Sequence, residues 1–104
     1  MDYRIEWSPE AAEDVDGIAD FIGRDSAFYA RAVVAKILAE ARSIPEFPLR
    51  GRVVPELGDE AIREIFVYSY RLVYRVEGAQ ILIVAVIHGK RLLESIQNRL
   101  TGSA

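Results

Sequence analysis

His88-Gly89-Lys90-Arg91 sets the chain's one histidine beside a glycine and two cations, immediately after an apolar run from Ile81 to Ile87. Histidine side chains titrate near neutrality, with an ordinary pKa of about 6.5, which suits general-base work. Arginines clamp phosphates and carboxylates through planar, multi-donor guanidinium groups, and Arg50, Arg52, Arg63, Arg71 and Arg75 precede the same run. No serine or cysteine nucleophile is signalled beside His88, and a histidine that ends a strand, partly buried and hydrogen-bonded, is the commoner state. No catalytic residue is therefore assigned. The cations read as binding groups, and the candidate partner-binding set is Arg50, Arg52, Arg71, Arg75, His88, Lys90 and Arg91.

Composition removes several other chemistries. With no cysteine and one histidine in 104 residues, neither a thiolate nor a multi-histidine metal site is expected. No GxGxxG or GxxxxGK[ST] loop occurs, so no nucleotide cofactor is expected either. The longest apolar run is far short of the roughly 18 to 20 residues of a membrane span. The N-terminus also lacks the basic start and apolar block of a secretion signal. A cytoplasmic protein without membrane contact is the expectation. Net charge is -3, divided as -4 over residues 1 to 44 and +1 over residues 45 to 104. That balance argues against direct sequence-specific nucleic-acid binding, which usually needs a strongly basic domain.

The elements that must position these residues follow from periodicity and punctuation. Tyr3, Ile5 and Trp7 alternate with Arg4 and Glu6 as a half-buried strand. Ser8-Pro9-Glu10 then supplies an N-cap, a proline at the first helical position and an acid in the first turn. The spacing predicts a first helix from about Pro9 to Ile22 and a second from about Ala27 to Ser43, ended by Pro45. The short link makes them an antiparallel hairpin. Pro45 to Glu60 reads as a surface loop. Ile62 to Tyr68, Tyr70 to Glu77 and Gln80 to His88 read as a three-stranded antiparallel meander. The last of these strands is central, because it is apolar from Ile81 to Ile87 and must be covered on both faces. Gly89 to about Leu100 reads as a short final helix, and residues 101 to 104 as a frayed tail. The class is α+β in a single domain, 1 to 104, with the hairpin against one face of a mainly antiparallel sheet. The first strand should join that sheet, beside a neighbour the pattern does not name. Arg71, Val73 and Arg75 should point away from Tyr70, Leu72, Tyr74 and Val76. Two readings of the arginine side stand open: pairing with strand acids such as Glu64, or a surface for an acidic or DNA-bound partner.

"WSPEAAEDVDGIADFI", "FPLRGRVVPEL", "IREIFVYSYRLVYRV" and "VIHGKRLL", in this order and spacing, resemble the ParE branch of the RelE/ParE toxin superfamily from Tyr3 to about Leu100. The resemblance implies the RelE/ParE-like fold and a toxin neutralised by a small ParD-like antitoxin. It also implies DNA gyrase as the target, poisoned in its cleaved-DNA state. RelE-type relatives instead cut messenger RNA in the ribosomal A site, and the shared fold does not choose between the two. In the RelE pattern Arg71 and Arg91 match the arginines, whereas Ile62 and Glu64 stand at the two lysine positions and Gln97 at the tyrosine position. The expectation is a non-enzymatic, gyrase-binding toxin. A ribosome-dependent ribonuclease and a non-toxic antitoxin-binding homologue are the alternatives. The antitoxin is expected to fold on binding, laying an apolar helix in a groove of Val15, Ile18, Ile22, Val34 and Ile37.

Overall fold

The computed structural model describes residues 2–89 and 98–100. Ser8 starts the first helix, α1 (Pro9–Gly23), as read: its Oγ accepts from the Ala11 N–H at 3.0 Å while Pro9 occupies the first turn. Ser26 does the same for α2 (Ala27–Ser43), accepting from Tyr29 N–H at 3.0 Å. Each side-chain cap satisfies one of the N–H groups that a helix start leaves without an intrahelical partner.

Five strands form one sheet in the order β1-β5-β4-β3-β2. They are β1 (Arg4–Trp7), β2 (Arg52–Val53), β3 (Ile62–Val67), β4 (Tyr70–Glu77) and β5 (Gln80–His88). The meander of β3, β4 and β5 is antiparallel as expected; β4 is the middle strand of the five, and β5, expected to be central, has neighbours on both sides only from Gln80 to Ile83. The neighbour of β1 is β5, and the pairing is parallel, from Arg4 opposite Gln80 to Trp7 opposite Ile83. The stretch read as loop contains more order than its prolines suggested. Ile44–Glu46 is a 3-10 turn and Arg52–Val53 pairs with β3, which adds a fifth strand. Tyr68 was read as the end of β3 but lies in the β3–β4 turn with φ 55°, a backbone region that glycine occupies far more readily than tyrosine.

A β-bulge sets which side chains of β5 face which side. Val73 lies opposite Ala85 but Tyr74 opposite Ile83, so Val84 is an extra residue that shifts the alternation. Ile81, Ile83 and Val86 therefore join Leu72, Tyr74, Val15, Ile18 and Ile37 in the main core under the hairpin. Ala85 and Ile87 turn to the other face, where they pack with Val54, Ile62 and Val73. Leu57 and Leu100 cover that second cluster. An unbroken apolar strand is thus buried on both sides, the reason its pattern lacks alternation.

Beyond Trp7, among the described residues, no strand follows β5 on its outer edge, and a side chain takes over. Asp14 of α1 accepts the Val86 N–H at 3.0 Å and pairs with Arg99 at 2.8 Å. Arg99 also donates to the Val84 carbonyl at 3.2 Å. The hydrogen bond that Arg99 donates to Asp14 holds the Arg99 pKa above its ordinary value against the opposing effect of burial. The final helix read over Gly89 to Leu100 falls for residues 90–97 outside the described residues.

Tyr74 fastens the connection after α2. Its hydroxyl donates to the Pro48 carbonyl at 2.7 Å and accepts from the Gly51 N–H at 3.0 Å. A Cβ on Gly51 would approach both that hydroxyl and the Glu64 carbonyl to 2.8 Å, so the close approach requires glycine. Burial pushes the Tyr74 phenol above its usual pKa.

Candidate functional site

The face of the sheet away from the hairpin carries the charge. Alternation along β3 places Ile62, Glu64 and Phe66 there, and β4 adds Arg71, Val73 and Arg75, as the pattern implies. β2 brings Arg52 opposite Glu64. Glu64 is 1% exposed. Its Oε2 accepts from Arg52 Nε at 2.6 Å, and its Oε1 lies 3.4 Å from Arg71 Nε. Arg71 is itself buried and meets Glu56 at 2.9 Å. The Arg52 guanidinium stacks over the Phe66 ring at 5.1 Å.

This arrangement decides what Arg71 can do. A carboxylate without solvent is tolerated in a protein interior only when paired, because removing a charge from water costs several kcal/mol. Glu64 is held that way by two arginines, and those arginines are correspondingly occupied. Arg52 and Arg71 together balance Glu56 and Glu64. An incoming phosphate would meet a near-neutral cluster whose central carboxylate cannot turn to solvent. Of the two readings left open for Arg71, pairing with Glu64 is the one present. Arg75 meets Glu77 at 3.6 Å instead.

The other candidates are not gathered here. Arg50 reaches back to α2, donating to Glu40 at 2.6 Å and to Ser43 Oγ at 2.7 Å. The Arg50 hydrogen bond holds the Glu40 carboxyl below its ordinary pKa, against the opposing effect of burial. The bulge turns His88 toward the hairpin side, where its ring meets Tyr70 edge-on at 5.8 Å. The sheet therefore lies between His88 and Arg71. Lys90, Arg91 and Gln97 fall outside the described residues.

Among the described residues, two of the exposed apolar surfaces adjoin the helical hairpin. Of the five residues read as a groove, Val15, Ile18 and Ile37 are buried in the main core and Ile22 and Val34 pack against it. They face the sheet because an amphipathic hairpin buries its apolar stripe there first. Only Val34 of the five lines the open groove on the outer side of the hairpin. It does so with Ala19, Ala30, Arg31, Ala35 and Leu38, around a volume of about 390 Å³. The second place is a cleft by α1 and the end of β5, lined by Phe21, Tyr70 and His88 throughout. Sequence patterning passed over Phe21, Tyr29 and Tyr68 because they sit off the buried stripes. The available signal was their size at positions where the helix and turn face outward.

Residues 5–93 match the model of the ParE toxin of type II toxin-antitoxin systems, parDE. The chain belongs to the ParE toxin family. It is 31% identical over 90 residues to Toxin RelE2 of Caulobacter vibrioides, covering 86% of this chain and 98% of that one. The fold is shared with the chromosomal ParDE system of P. aeruginosa at a TM-score of 0.69 and 20% identity, over 83% of this chain and 95% of that one. It is also shared with the RelBE2 toxin-antitoxin complex of Mycobacterium tuberculosis, at a TM-score of 0.60 and 20% identity, over 85% and 99% of the two chains. The YoeB dimer of Staphylococcus aureus gives 0.57 and 19%, over 85% and 98%. ParE-family membership makes the chain a type II toxin of the ParE/RelE superfamily.

Proposed function

We propose that this toxin acts by binding rather than by cutting RNA, that its target is DNA gyrase, and that a ParD-like antitoxin restrains it. The observation that carries the reading is the buried Glu64 held between Arg52 and Arg71. Ribonuclease chemistry at a 2'-hydroxyl needs cations free to meet the charge that develops on the phosphate, together with an acid/base partner. Here Arg71, one of the two arginines matching the ribonuclease pattern, is ion-paired with Glu56 and Glu64, and the one histidine lies across the sheet from it. Gyrase enters through the resemblance to the ParE branch and through membership of that family.

The antitoxin reading is supported by the hairpin groove and by the toxin-antitoxin systems that share the fold. An apolar helix folding into the groove of Val34, Ala35 and Leu38 would offset its ordering entropy by burying apolar surface. The name of the Caulobacter relative, Toxin RelE2, favours a second reading, ribosome-dependent cleavage of messenger RNA. A supercoiling assay with purified gyrase tests the first. Loss of supercoiling with trapped, cut DNA is the expected result, and full supercoiling at toxin excess over gyrase would overturn it.

A further inference from the structure

From the outer side of α2, we infer that the hairpin groove selects a partner helix that carries carboxylates about three turns apart beside its apolar stripe. The inference rests on the antitoxin reading of that groove and adds the chemistry by which its occupant is chosen. α2 has two stripes. Ala30, Val33, Ile37 and Ala41 are buried, whereas Phe28, Arg31, Ala35, Leu38 and Arg42 form a second row that is exposed at every position. Its residues alternate steps of three and four, the spacing of a seam along which another helix packs. Phe28 is 76% exposed and Leu38 36%, so the seam has large apolar side chains with no cover of their own.

Charge specifies the flank of that helix. Arg31 lines the groove, and Arg42 stands about 16 Å further along the same row. Among the described residues neither makes an ion pair or a side-chain hydrogen bond. The other charges of α2 are already matched: Lys36 meets Glu40 at 3.4 Å, and Glu40 also holds Arg50 at 2.6 Å. In residues 1, 90–97 and 101–104 the one acidic side chain is Glu94, which cannot meet two cations about 16 Å apart. α1 contributes Ala19 alone to the lining, so Arg31 supplies the charge that an occupant meets there.

A helix seated in the groove shields Arg31 and Arg42 partly from water. Carboxylates on its flank then meet each guanidinium, whereas lysines there bring like charges together. Exposed pairs add little to affinity, but they govern partner choice and the rate of encounter. The row therefore discriminates among apolar helices. Reversing the direction of a helix exchanges its two flanks, so the flank that carries the acids also fixes which way the occupant runs. The inference stands whether or not gyrase is the target.

The test titrates the full chain, its backbone amides assigned, with an alanine-based helical peptide bearing a leucine stripe and two glutamates about three turns apart on one flank. Glutamine and lysine counterparts serve as comparisons. Saturable shifts at the Ala35 and Leu38 amides are expected, with the glutamate peptide about fivefold tighter than the glutamine one and at least about tenfold tighter than the lysine one. Raising the salt should narrow both gaps. Arg31→Gln/Arg42→Gln, at exposed positions, should abolish the preference, and Arg31→Glu/Arg42→Glu should reverse it in favour of the lysine peptide. Equal binding of the three peptides to the unaltered chain would overturn the inference and leave the apolar groove to the antitoxin. No saturable shift with any of them would overturn the groove as well. Tighter binding of the lysine peptide would give the groove to the acids of α1, and self-association by light scattering that is lost in Leu38→Arg would give the row to a second copy. Either result overturns the selection proposed.

Discussion

Replacing Glu64 by glutamine keeps the shape of the side chain and removes its charge. Arg71 then stays buried, with its side chain 10% exposed and Glu56 at 2.9 Å as its remaining counter-charge. Breaking a buried pair by removing one partner costs about 3–5 kcal/mol, because the other charge is left uncompensated. Glu56 is 44% exposed and remains in place, so the low end applies, about 3 kcal/mol. For a domain of this size that lowers the melting temperature by about 15 °C. Arg52→Gln takes the nearer counter-ion from the buried Glu64 carboxylate and should likewise cost about 3 kcal/mol, the low end, because Arg71 remains 3.4 Å away. The Glu64→Leu/Arg71→Met double variant removes both charges and should cost less than Glu64→Gln alone, since hydrophobic replacement of a whole buried pair is often neutral. Urea unfolding followed by Trp7 fluorescence and far-ultraviolet circular dichroism reads all three. If Glu64→Gln cost less than about 1 kcal/mol, the scale of an exposed pair, or if the double variant cost as much as Glu64→Gln, Arg71 would not be the structural counter-ion described here.

Other outcomes follow from individual contacts. Tyr74→Phe strands the Gly51 N–H and the Pro48 carbonyl and should cost about 1–3 kcal/mol, with faster hydrogen exchange at the Gly51 amide than in the wild type. Asp14→Ala removes the acceptor of the Val86 N–H and frees Arg99, so exchange should accelerate at Val86 while the amides of β3 hold their protection. The Glu40 carboxyl has its folded pKa held below the ordinary 4.5, so its contribution is fully present above that value and is lost as pH falls through the lowered pKa. Glu40→Gln should therefore flatten the acid side of the stability–pH curve, measured by urea midpoints below pH about 5. Tyr74 has the opposite sign: its folded pKa is raised, so its contribution is complete below about 10 and declines as pH rises through the raised value.

Local signals in the chain carried most of the architecture. Ser8 and Ser26 mark the helix starts because their hydroxyls accept first-turn N–H groups, and the bounds of β4 and the start of β5 follow from the change in pattern at Ser69 and at Gly78. What escaped was decided by partners far along the chain. β1 pairs with β5 across more than seventy residues, and nothing within Tyr3 to Trp7 encodes that choice. The two residues of β2 are ordered by β3 rather than by their own propensity, inside a run whose prolines and glycines read as loop. The bulge at Val84 lies in a stretch with no alternation to betray a shift, yet it decides that His88 and Arg71 end on opposite faces. Glu64 was legible as a departure from the ribonuclease pattern and as a pairing partner of Arg71. Its burial was not, because an acid on a strand is normally solvated. The groove residues were read correctly as an apolar stripe, but a stripe does not reveal whether a sheet or a partner covers it.

Primer extension across the A-site codon of messenger RNA on programmed ribosomes, with purified toxin added, puts the central claim to its most direct test. With Glu64 closing the arginine cluster, the message should remain intact, and Arg91→Ala should alter toxicity in cells without altering any cleavage pattern. Codon-specific cuts by the wild type that vanish in Arg91→Ala would contradict the account and reinstate RNA cleavage as the activity.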